Sequence, residues 1–298
     1  MLLESYAGFA DASVEIASDA STRFQISSVS KQFVAACILL LAQEGSLSVD
    51  DPVSGWFPRS PRSWDAITIE HLMTHTAGIG HWTDYEAIDP YEPITDDAFV
   101  AAVQQRPLPD PLPAPHAYSS LGYGLLTRIV EQAADTMYTR FVTEKIFNPL
   151  KMRDTFVGNA HRRTAIARGY RGDVEVPGWE LDTTSRGAGD VWTTARDLDR
   201  WDQALFSDAV LQAEARDAMF AAHTAIEGMP DLSGYGYGWL VGESHGQPLY
   251  LHPGDNPGYA SINAIVPTLR VRVILLSNDE TCDIYTPVMS LLEAALST

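Results

Sequence analysis

The pattern of apolar and polar positions changes twice along the chain and divides it into three stretches. In the first stretch, most positions from Val29 to Glu44 are apolar, and the run ends at Gly45. This pattern predicts a helix buried on most sides, with serine at its start and a glycine cap after its end. The preceding segment, 5–25, contains short β-prone pieces and predicts one or two strands ending at residues 24–26.

In the second stretch, from about residue 51 to 225, loops rich in proline, tryptophan and glycine alternate with helical patterns. Strand-type alternation is rare here, and the prolines between residues 105 and 115 predict a loop. Thr68 is the expected N-cap of the first helix. The predicted helices span residues 69–74, 96–105, 121–134, 198–205 and 213–222.

The third stretch is rich in β-branched and aromatic residues separated by turn residues. It predicts an antiparallel meander followed by an amphipathic helix over 285–296. Both chain ends are therefore expected to supply a sheet with flanking helices, which is an α+β arrangement. We expect a single domain over 1–298, with an α/β lobe of about 1–50 and 226–298 and a helical lobe of about 51–225. The predicted strands span residues 235–241, 248–251, 260–265 and 271–276.

Composition narrows the possible partners. The 298 residues are 45% hydrophobic and 20% charged, as in ordinary globular proteins. Lysine and arginine number 20 against 39 aspartate and glutamate, which gives a formal net charge of −19. Such a surface repels phosphate backbones and anionic lipid, so we expect no nucleic-acid partner and no membrane partner.

The chain shows no targeting or membrane signal. The N-terminal residues MLLESY have neither the basic nor the apolar part of a signal peptide, so we expect a cytoplasmic protein. The longest apolar run, 33–42, is shorter than the roughly 20 residues that span a bilayer. Two cysteines cannot form a disulfide framework, and Cys37 within the apolar run predicts a buried free thiol.

Ser28 and Lys31 stand where the buried helix is predicted to begin. Residues three apart share a helix face, so the two side chains are expected to be neighbours. A serine hydroxyl needs a base to become a good nucleophile, and a buried lysine loses its proton more readily than a solvated one. The structural alternative is an N-cap serine followed by a solvated lysine, and the four residues alone leave it open.

The segment around this pair resembles a known family. Residues 24–33, FQISSVSKQF, are similar to the nucleophile motif of serine β-lactamases and penicillin-binding proteins. The resemblance is closest to the class C β-lactamase branch, which includes D-Ala-D-Ala carboxypeptidases, D-aminopeptidases and carboxylesterases. Further typical segments follow in order over nearly the whole chain. They are LSVDDPV at 47–53, ITIEHLMTHTAGI at 67–79, NPLKM at 148–152, TTARDL at 193–198 and YGYGW at 235–239.

This resemblance implies a β-lactamase/DD-peptidase-like α+β fold, with an antiparallel sheet, flanking helices and an inserted helical lobe. It also implies a serine hydrolase that forms an acyl-enzyme on Ser28, with Lys31 moving protons. The family's second motif, Tyr-x-Asn, is matched at Tyr118 but has Ser120 in place of asparagine. Tyr118 would be a general base and acid if a lysine cation stabilised its phenolate. Ser120 would hold a substrate amide less well than asparagine.

The third family motif, Lys-Thr-Gly or His-x-Gly, is matched by His252 and Gly254. The resemblance places His252 at the cationic position, where it would orient Tyr118 or a substrate carboxylate. Gly254 would let the backbone approach the substrate. The backbone N–H groups of Ser28 and Asp255 would form the oxyanion hole.

Other candidate features are weaker. His71 and His75 have helical spacing but lack the metalloprotease glutamate and a third ligand, and the glycines at 187–189 lack dinucleotide spacing. We therefore expect no metal and no cofactor. Four aromatic residues would either line a substrate pocket or pack in the core: Trp82, Tyr85, Tyr91 and Trp192.

The nucleophile stands only 28 residues from the start, whereas the family usually has several tens of residues before it. A sheet edge or helix face would then be exposed, and a homodimer is one way to cover it. The expected activity is hydrolysis of a small ester or a D-amino-acid amide, with weak or absent β-lactamase activity. The alternatives are an acyltransferase that uses the same acyl-enzyme and a non-catalytic binding or sensor domain.

Overall fold

A computed structural model of the chain describes residues 3–89, 92–161, 163–176 and 186–296. Its helices and strands follow the three stretches of the sequence pattern. The helices are α1 (Lys31–Gln43), α2 (Ile69–Met73), α3 (Asp96–Gln105), α4 (Ser120–Ala134), α5 (Tyr138–Val142), α6 (Ala195–Ala204), α7 (Ala213–Phe220) and α8 (Tyr285–Leu296). The strands are β1 (Phe9–Asp11), β2 (Ile16–Ala17), β3 (Phe24–Gln25), β4 (Phe156–Val157), β5 (Tyr170–Arg171), β6 (Val174–Glu175), β7 (Val191–Thr193), β8 (Thr224–Ala225), β9 (Leu232–Tyr235), β10 (Leu240–Ser244), β11 (Gln247–Asn256), β12 (Tyr259–Val266) and β13 (Val271–Ser277).

The main sheet has six antiparallel strands in the order β13-β12-β11-β10-β9-β8, which confirms the predicted meander. Alternate residues of β12 point to opposite faces, as the strand repeat requires. Ile262, Ala264 and Val266 pack on the apolar side of α8. Ser261 and Asn263 instead bond to the α1 side of the sheet. The sheet is therefore covered by α8 on one face and by the functional elements on the other.

The N-terminal strands do not join this sheet, contrary to the expectation that both chain ends build it. Strands β1 and β2 pair with each other, and β3 forms a small sheet with β7 and β4. The six-stranded sheet begins only at Thr224. Short strands also occur in the middle stretch, where few were predicted, because their partners come from distant parts of the chain.

Helix α1 is the centre of the fold. A 3-10 turn, Ser27–Ser30, precedes it, and every residue from Lys31 to Leu41 is buried. It packs against α4, α5 and α7, and Cys37 is fully buried as predicted. At its C-terminal end Gly45 has a φ of +73°, as the predicted glycine cap requires.

A loop at residues 236–239 interrupts the strand predicted over 235–241, because this segment packs on the start of α1. Gly238 has a φ of +77°, and a Cβ atom there would lie 3.0 Å from the backbone of Lys31. The strand-type aromatic residue of the loop, Trp239, is fully buried. The loop therefore supports the helix end that carries the reactive side chains.

Candidate active site

The turn that carries Ser28 has a strained backbone and is held by close contacts with β11 and β12. Ser27 has a φ of +49°, an unfavourable value for a residue with a side chain. The Ser261 hydroxyl donates to the Ile26 carbonyl at 2.7 Å. A Cβ atom at Gly254 would lie 2.4 Å from that carbonyl oxygen, so only glycine fits there. Gly254 thus permits the close approach of its strand to the nucleophile turn. Gly254 also lines the pocket, and its expected role toward the substrate stays a prediction.

Lys31 is fully buried beside the nucleophile. Its Nζ lies 3.0 Å from Ser28 Oγ and donates to the Ala188 carbonyl at 2.9 Å. Burial lowers the pKa of Lys31 well below its usual value, and Asp190 opposes this shift only in part. In the neutral amine, one N–H serves Ala188 and the lone pair is free to accept the Ser28 proton. This geometry excludes the solvated-lysine alternative.

Tyr118 stands over the same lysine, with Lys31 Nζ 4.8 Å from the ring centroid. Its hydroxyl is buried and has no partner within hydrogen-bond distance, although Ser28 is close enough to lower the pKa of the phenol slightly. Burial is the larger effect and raises this pKa above the usual value. A resting phenolate, one role considered from the sequence, is therefore disfavoured. Tyr118 is suited to pass a proton on after Lys31 has taken it.

His252 lies in the site but does not form the cationic group that the resemblance implied. Its Nδ1 is 2.6 Å from the Pro253 carbonyl and must carry the proton, so Tyr235 donates to Nε2 at 2.9 Å. Burial, together with Lys31, lowers the pKa of His252 to about 3. A neutral imidazole with both nitrogens engaged orients Tyr235 and supplies no positive charge for a carboxylate.

Ser120 begins α4, and its Oγ lies 3.3 Å from His81 Nε2. The His81 ring also stacks on Tyr118, with centroids 6.3 Å apart. The Ser-x-x-Lys and Tyr-x-Asn motifs gave no signal for His81. Its proximity depends on how the loop before α3 folds against α4, which the spacing of the motifs does not reveal.

Two further histidines lie at the site but were not predicted from the sequence as site residues. His75, considered only as a metal ligand, lies against Tyr118 with ring centroids 4.5 Å apart. His116 lies 5.6 Å from His75 and lines the pocket. His71 instead accepts the Thr68 N–H at 3.2 Å as part of the predicted cap of α2.

Ser28, Tyr118, Ser120 and His252 line one pocket of about 1290 Å³. Among the described residues that line it, four carry carboxylates and one carries a guanidinium, that of Arg171, which pairs with Glu280. The oxyanion-hole candidates Ser28 and Asp255 both line the pocket, and the role of their N–H groups stays a prediction. The carboxylates belong to Glu227, Asp255, Glu280 and Asp283.

The remaining residues that the sequence singled out have different locations. The glycine segment at 187–189 supplies the carbonyl that receives Lys31, and Asn256 donates to Gly189 O at 3.0 Å. Trp82 lines the pocket, whereas Trp192 is a core residue stacked on Phe156. Tyr85 is buried, and Tyr91 lies outside the described residues. The described part of the chain contains no group of three or more residues placed to hold a metal ion.

The buried histidines predict a loss of stability in mild acid. Burial lowers the pKa of His75 and of His252 below the ordinary 6.5. Each histidine therefore takes up a proton more readily in the unfolded chain than in the folded one. The neutral histidine stabilises the fold fully above pH 6.5, and this stabilisation is lost as the pH falls. We expect the free energy of unfolding, measured in urea, to drop by about 1 kcal/mol per pH unit for each group below pH 6.5.

Two other buried groups, Asp202 and Lys31, also make the free energy of unfolding depend on pH, and their effects must be separated from those of the histidines. Burial raises the pKa of Asp202, so Asp202 destabilises the fold as the pH rises, and Asp202→Asn removes this opposing effect. Lys31 has the same sign as the histidines, and Lys31→Met removes it. Unfolding free energies that stay constant between pH 7.5 and 5 in both variants would contradict the prediction.

Comparisons with known proteins show which sequences and folds this chain is similar to. Penicillin-binding protein 4* of Bacillus subtilis (strain 168) is 29% identical over 294 residues, which cover 92% of this chain and 64% of that protein. The chain spans 56–66% of the length of the curated relatives it matches. D-amino acid amidase from Ochrobactrum anthropi SV3 is 25% identical, with a TM-score of 0.83 over 97% of this chain and 90% of that chain.

The octameric penicillin-binding protein homologue from Pyrococcus abyssi has the same fold, with a TM-score of 0.86, 23% identity and coverage of 98% of this chain and 70% of that one. The β-lactamase/penicillin-binding-protein fold expected from the sequence is thereby confirmed. No helix in the described ranges is both long and apolar enough to cross a bilayer. The family model for Beta-lactamase matches residues 1–283, and the chain therefore belongs to the Beta-lactamase family.

Proposed function

We propose that this protein is a serine hydrolase that forms an acyl-enzyme on Ser28 and acts on a small ester or a D-amino-acid amide. The observation that carries the proposal is the 3.0 Å contact between Ser28 Oγ and the Nζ of a fully buried lysine. A buried amine beside a serine hydroxyl is one arrangement that can activate the serine as a nucleophile. The similarity to D-amino acid amidase supports an amide or ester of this kind.

In the proposed mechanism, Lys31 Nζ takes the Ser28 proton while Oγ attacks the acyl carbon. The negative oxygen of the tetrahedral intermediate is stabilised by the N–H groups of Ser28 and Asp255. The proton then passes from Lys31 through the Tyr118 hydroxyl to the leaving group, whose bond to the acyl carbon breaks. Water attacks the resulting ester by the reverse proton path and frees Ser28.

Intact mass measurement tests this proposal directly. The protein is incubated with a panel of nitrophenyl esters, D-alanine peptides and one penicillin. We expect a mass increase equal to one acyl group, located on the peptide that contains Ser28. Absence of any adduct, together with absence of turnover across the panel, would favour the alternative of a non-catalytic binding or sensor domain.

An acyltransferase is the second catalytic alternative, since the same acyl-enzyme can react with an alcohol or an amine. The pocket of about 1290 Å³ leaves room for an acceptor beside the acyl group. Product analysis with and without an added alcohol or amine distinguishes the two reactions.

The cytoplasmic location of the protein stays a prediction, and so does the formation of a homodimer.

The charge of the pocket predicts that carboxylate-bearing substrates are handled poorly. Four carboxylates line it, its guanidinium is paired with Glu280, and both nitrogens of His252 are engaged. A penicillin carboxylate would therefore meet like charge and no free cationic partner among the described lining residues. We expect nitrophenyl acetate to be hydrolysed faster than the nitrophenyl half-ester of succinate, and penicillin hydrolysis to be weak or absent.

The residue at the asparagine position of the family motif, Ser120, allows a second test of this prediction. Ser120→Asn restores an amide that can hold a β-lactam, and it should raise the ratio of β-lactam to ester turnover once His81 has moved from its 3.3 Å contact. One hydrogen bond is worth about 0.5–1.5 kcal/mol, so the ratio of β-lactam to ester turnover should rise by roughly twofold to twelvefold. A wild-type kcat/KM for penicillin that matches or exceeds that for the ester would refute the prediction.

A further inference from the structure

His75 holds the chain on both sides of Tyr118. Its backbone carbonyl accepts the Ala117 N–H at 3.0 Å, and its Nδ1 accepts the Ser119 N–H at 3.1 Å. The imidazole packs against the phenol between these two bonds, with ring centroids 4.5 Å apart. One residue therefore fixes the backbone before Tyr118, the backbone after it and one face of its ring.

The backbone of His75 is adapted to this double contact. Its φ is +59°, which histidine and asparagine adopt more readily than most residues. His75 is 2% exposed as a residue. The carbonyl of the next residue, Thr76, extends the contact by accepting the Ala114 N–H at 2.8 Å. The loop that carries Tyr118 is thus docked on residues 75–76 over several positions.

The contacts of His75 matter because the Tyr118 hydroxyl does little to fix the position of its own ring. Tyr118 Oη has no partner within hydrogen-bond distance, although Ser28 is near, so the reacting end alone does not fix the phenol. Its position must come from the backbone on either side and from contacts to the ring. His75 supplies a backbone bond on each side and one of the ring contacts, the others coming from Lys31, His81 and His252. An error of about 1 Å at a proton-transfer group can reduce a rate about a hundredfold.

We infer that His75 is a positioning residue that holds Tyr118 over Ser28 and Lys31, through its Nδ1 bond to the Ser119 N–H and its ring contact. This inference rests on the proposed function of Ser28. It predicts that His75 contributes to turnover only through Tyr118. A substitution at His75 should then lower kcat, with KM nearly unchanged.

A double-mutant cycle between His75 and Tyr118 tests the inference on nitrophenyl acetate. Leucine at position 75 (His75→Leu) removes the acceptor, whereas His75→Asn keeps an oxygen near Nδ1 and tolerates the positive φ. We expect His75→Leu to lower kcat about tenfold to a hundredfold and His75→Asn to stay within about threefold of wild type. In a Tyr118→Phe background, His75→Leu should cost less than about threefold more, since the group that it positions is already gone.

Equal losses from His75→Leu in the two backgrounds would overturn the inference, because a merely structural residue lowers both activities alike. If His75→Leu does not fold, His75→Asn decides the matter alone. A loss above about tenfold in His75→Asn, at an unchanged melting temperature, would also overturn the inference.

Amide hydrogen exchange over residues 117–119 examines the same contact without turnover. We expect protection to be retained in His75→Asn and lost in His75→Leu, and equal protection in both variants would contradict the Nδ1 bond. Acylation of wild-type Ser28 is measured separately. Its absence would count against the proposed function, while the exchange data still judge the role of His75.

Discussion

We expect the replacement of Ser28 with alanine to abolish both the acyl adduct and the hydrolysis of a nitrophenyl ester. Ser28 Oγ is the hydroxyl placed 3.0 Å from the Lys31 amine, at the end of a buried helix and open to the pocket. Without it, water must attack the ester unaided by covalent catalysis. The measurement is intact mass after incubation with the ester, together with the rate of nitrophenol release.

The neighbouring serine provides a matched control. Ser27 lies in the same 3-10 turn, and its hydroxyl is buried with no hydrogen-bond partner. Ser27→Ala removes an equivalent atom at the same backbone angle and should leave acylation in place. Turnover by Ser28→Ala within about tenfold of wild type, roughly 1.4 kcal/mol of barrier, would eliminate Ser28 as the nucleophile.

Replacing Lys31 with methionine should lower turnover by about 10²–10⁴-fold, the usual contribution of a general base. The apolar side chain fills the same buried space but cannot accept the Ser28 proton. Because burial lowers the pKa of Lys31, the wild-type protein must hold a group that prefers water, and methionine removes that cost. The Ala188 carbonyl then loses its 2.9 Å donor, which offsets part of the gain in stability.

Arginine at the same position separates charge from basicity. A guanidinium keeps its proton at every accessible pH, so Lys31→Arg should be as inactive as Lys31→Met. Ester turnover by the wild-type protein should rise with pH to a plateau as the Lys31 amine loses its proton. Substantial activity in Lys31→Arg would show that the positive charge, and not the free amine, is what the reaction needs.

Elements with local signals were predictable from the sequence, and those that depend on distant partners were not. Helix α3 spans the residues predicted for it because Thr95 caps its first turn and its apolar positions repeat along one face. The loop at 236–239 was predicted as strand, since its aromatic residues are typical of strands. Its course is set instead by the close approach of Gly238 to α1.

The candidate site shows the same division. Ser28 and Lys31 are three residues apart, so their contact follows from helix geometry alone. The Ala188 carbonyl that orients the amine is 157 residues from Lys31 in the chain. His75 contacts Ser119 across 44 residues, and His81 contacts Ser120 across 39. Neither the composition nor the spacing of the motifs predicts these contacts. Only the folded chain reveals the neutral state of His252, since it depends on burial.

The long separation between Lys31 and its carbonyl partner also bears on the order of folding. Contacts between residues far apart in the chain close large loops, and their entropy must be offset before they become stable. The Ile26 carbonyl reaches Ser261 across 235 residues, and Gln25 reaches Asn256 across 231. In a chain emerging from the ribosome, the turn before Ser28 therefore lacks these contacts until β11 and β12 have been made.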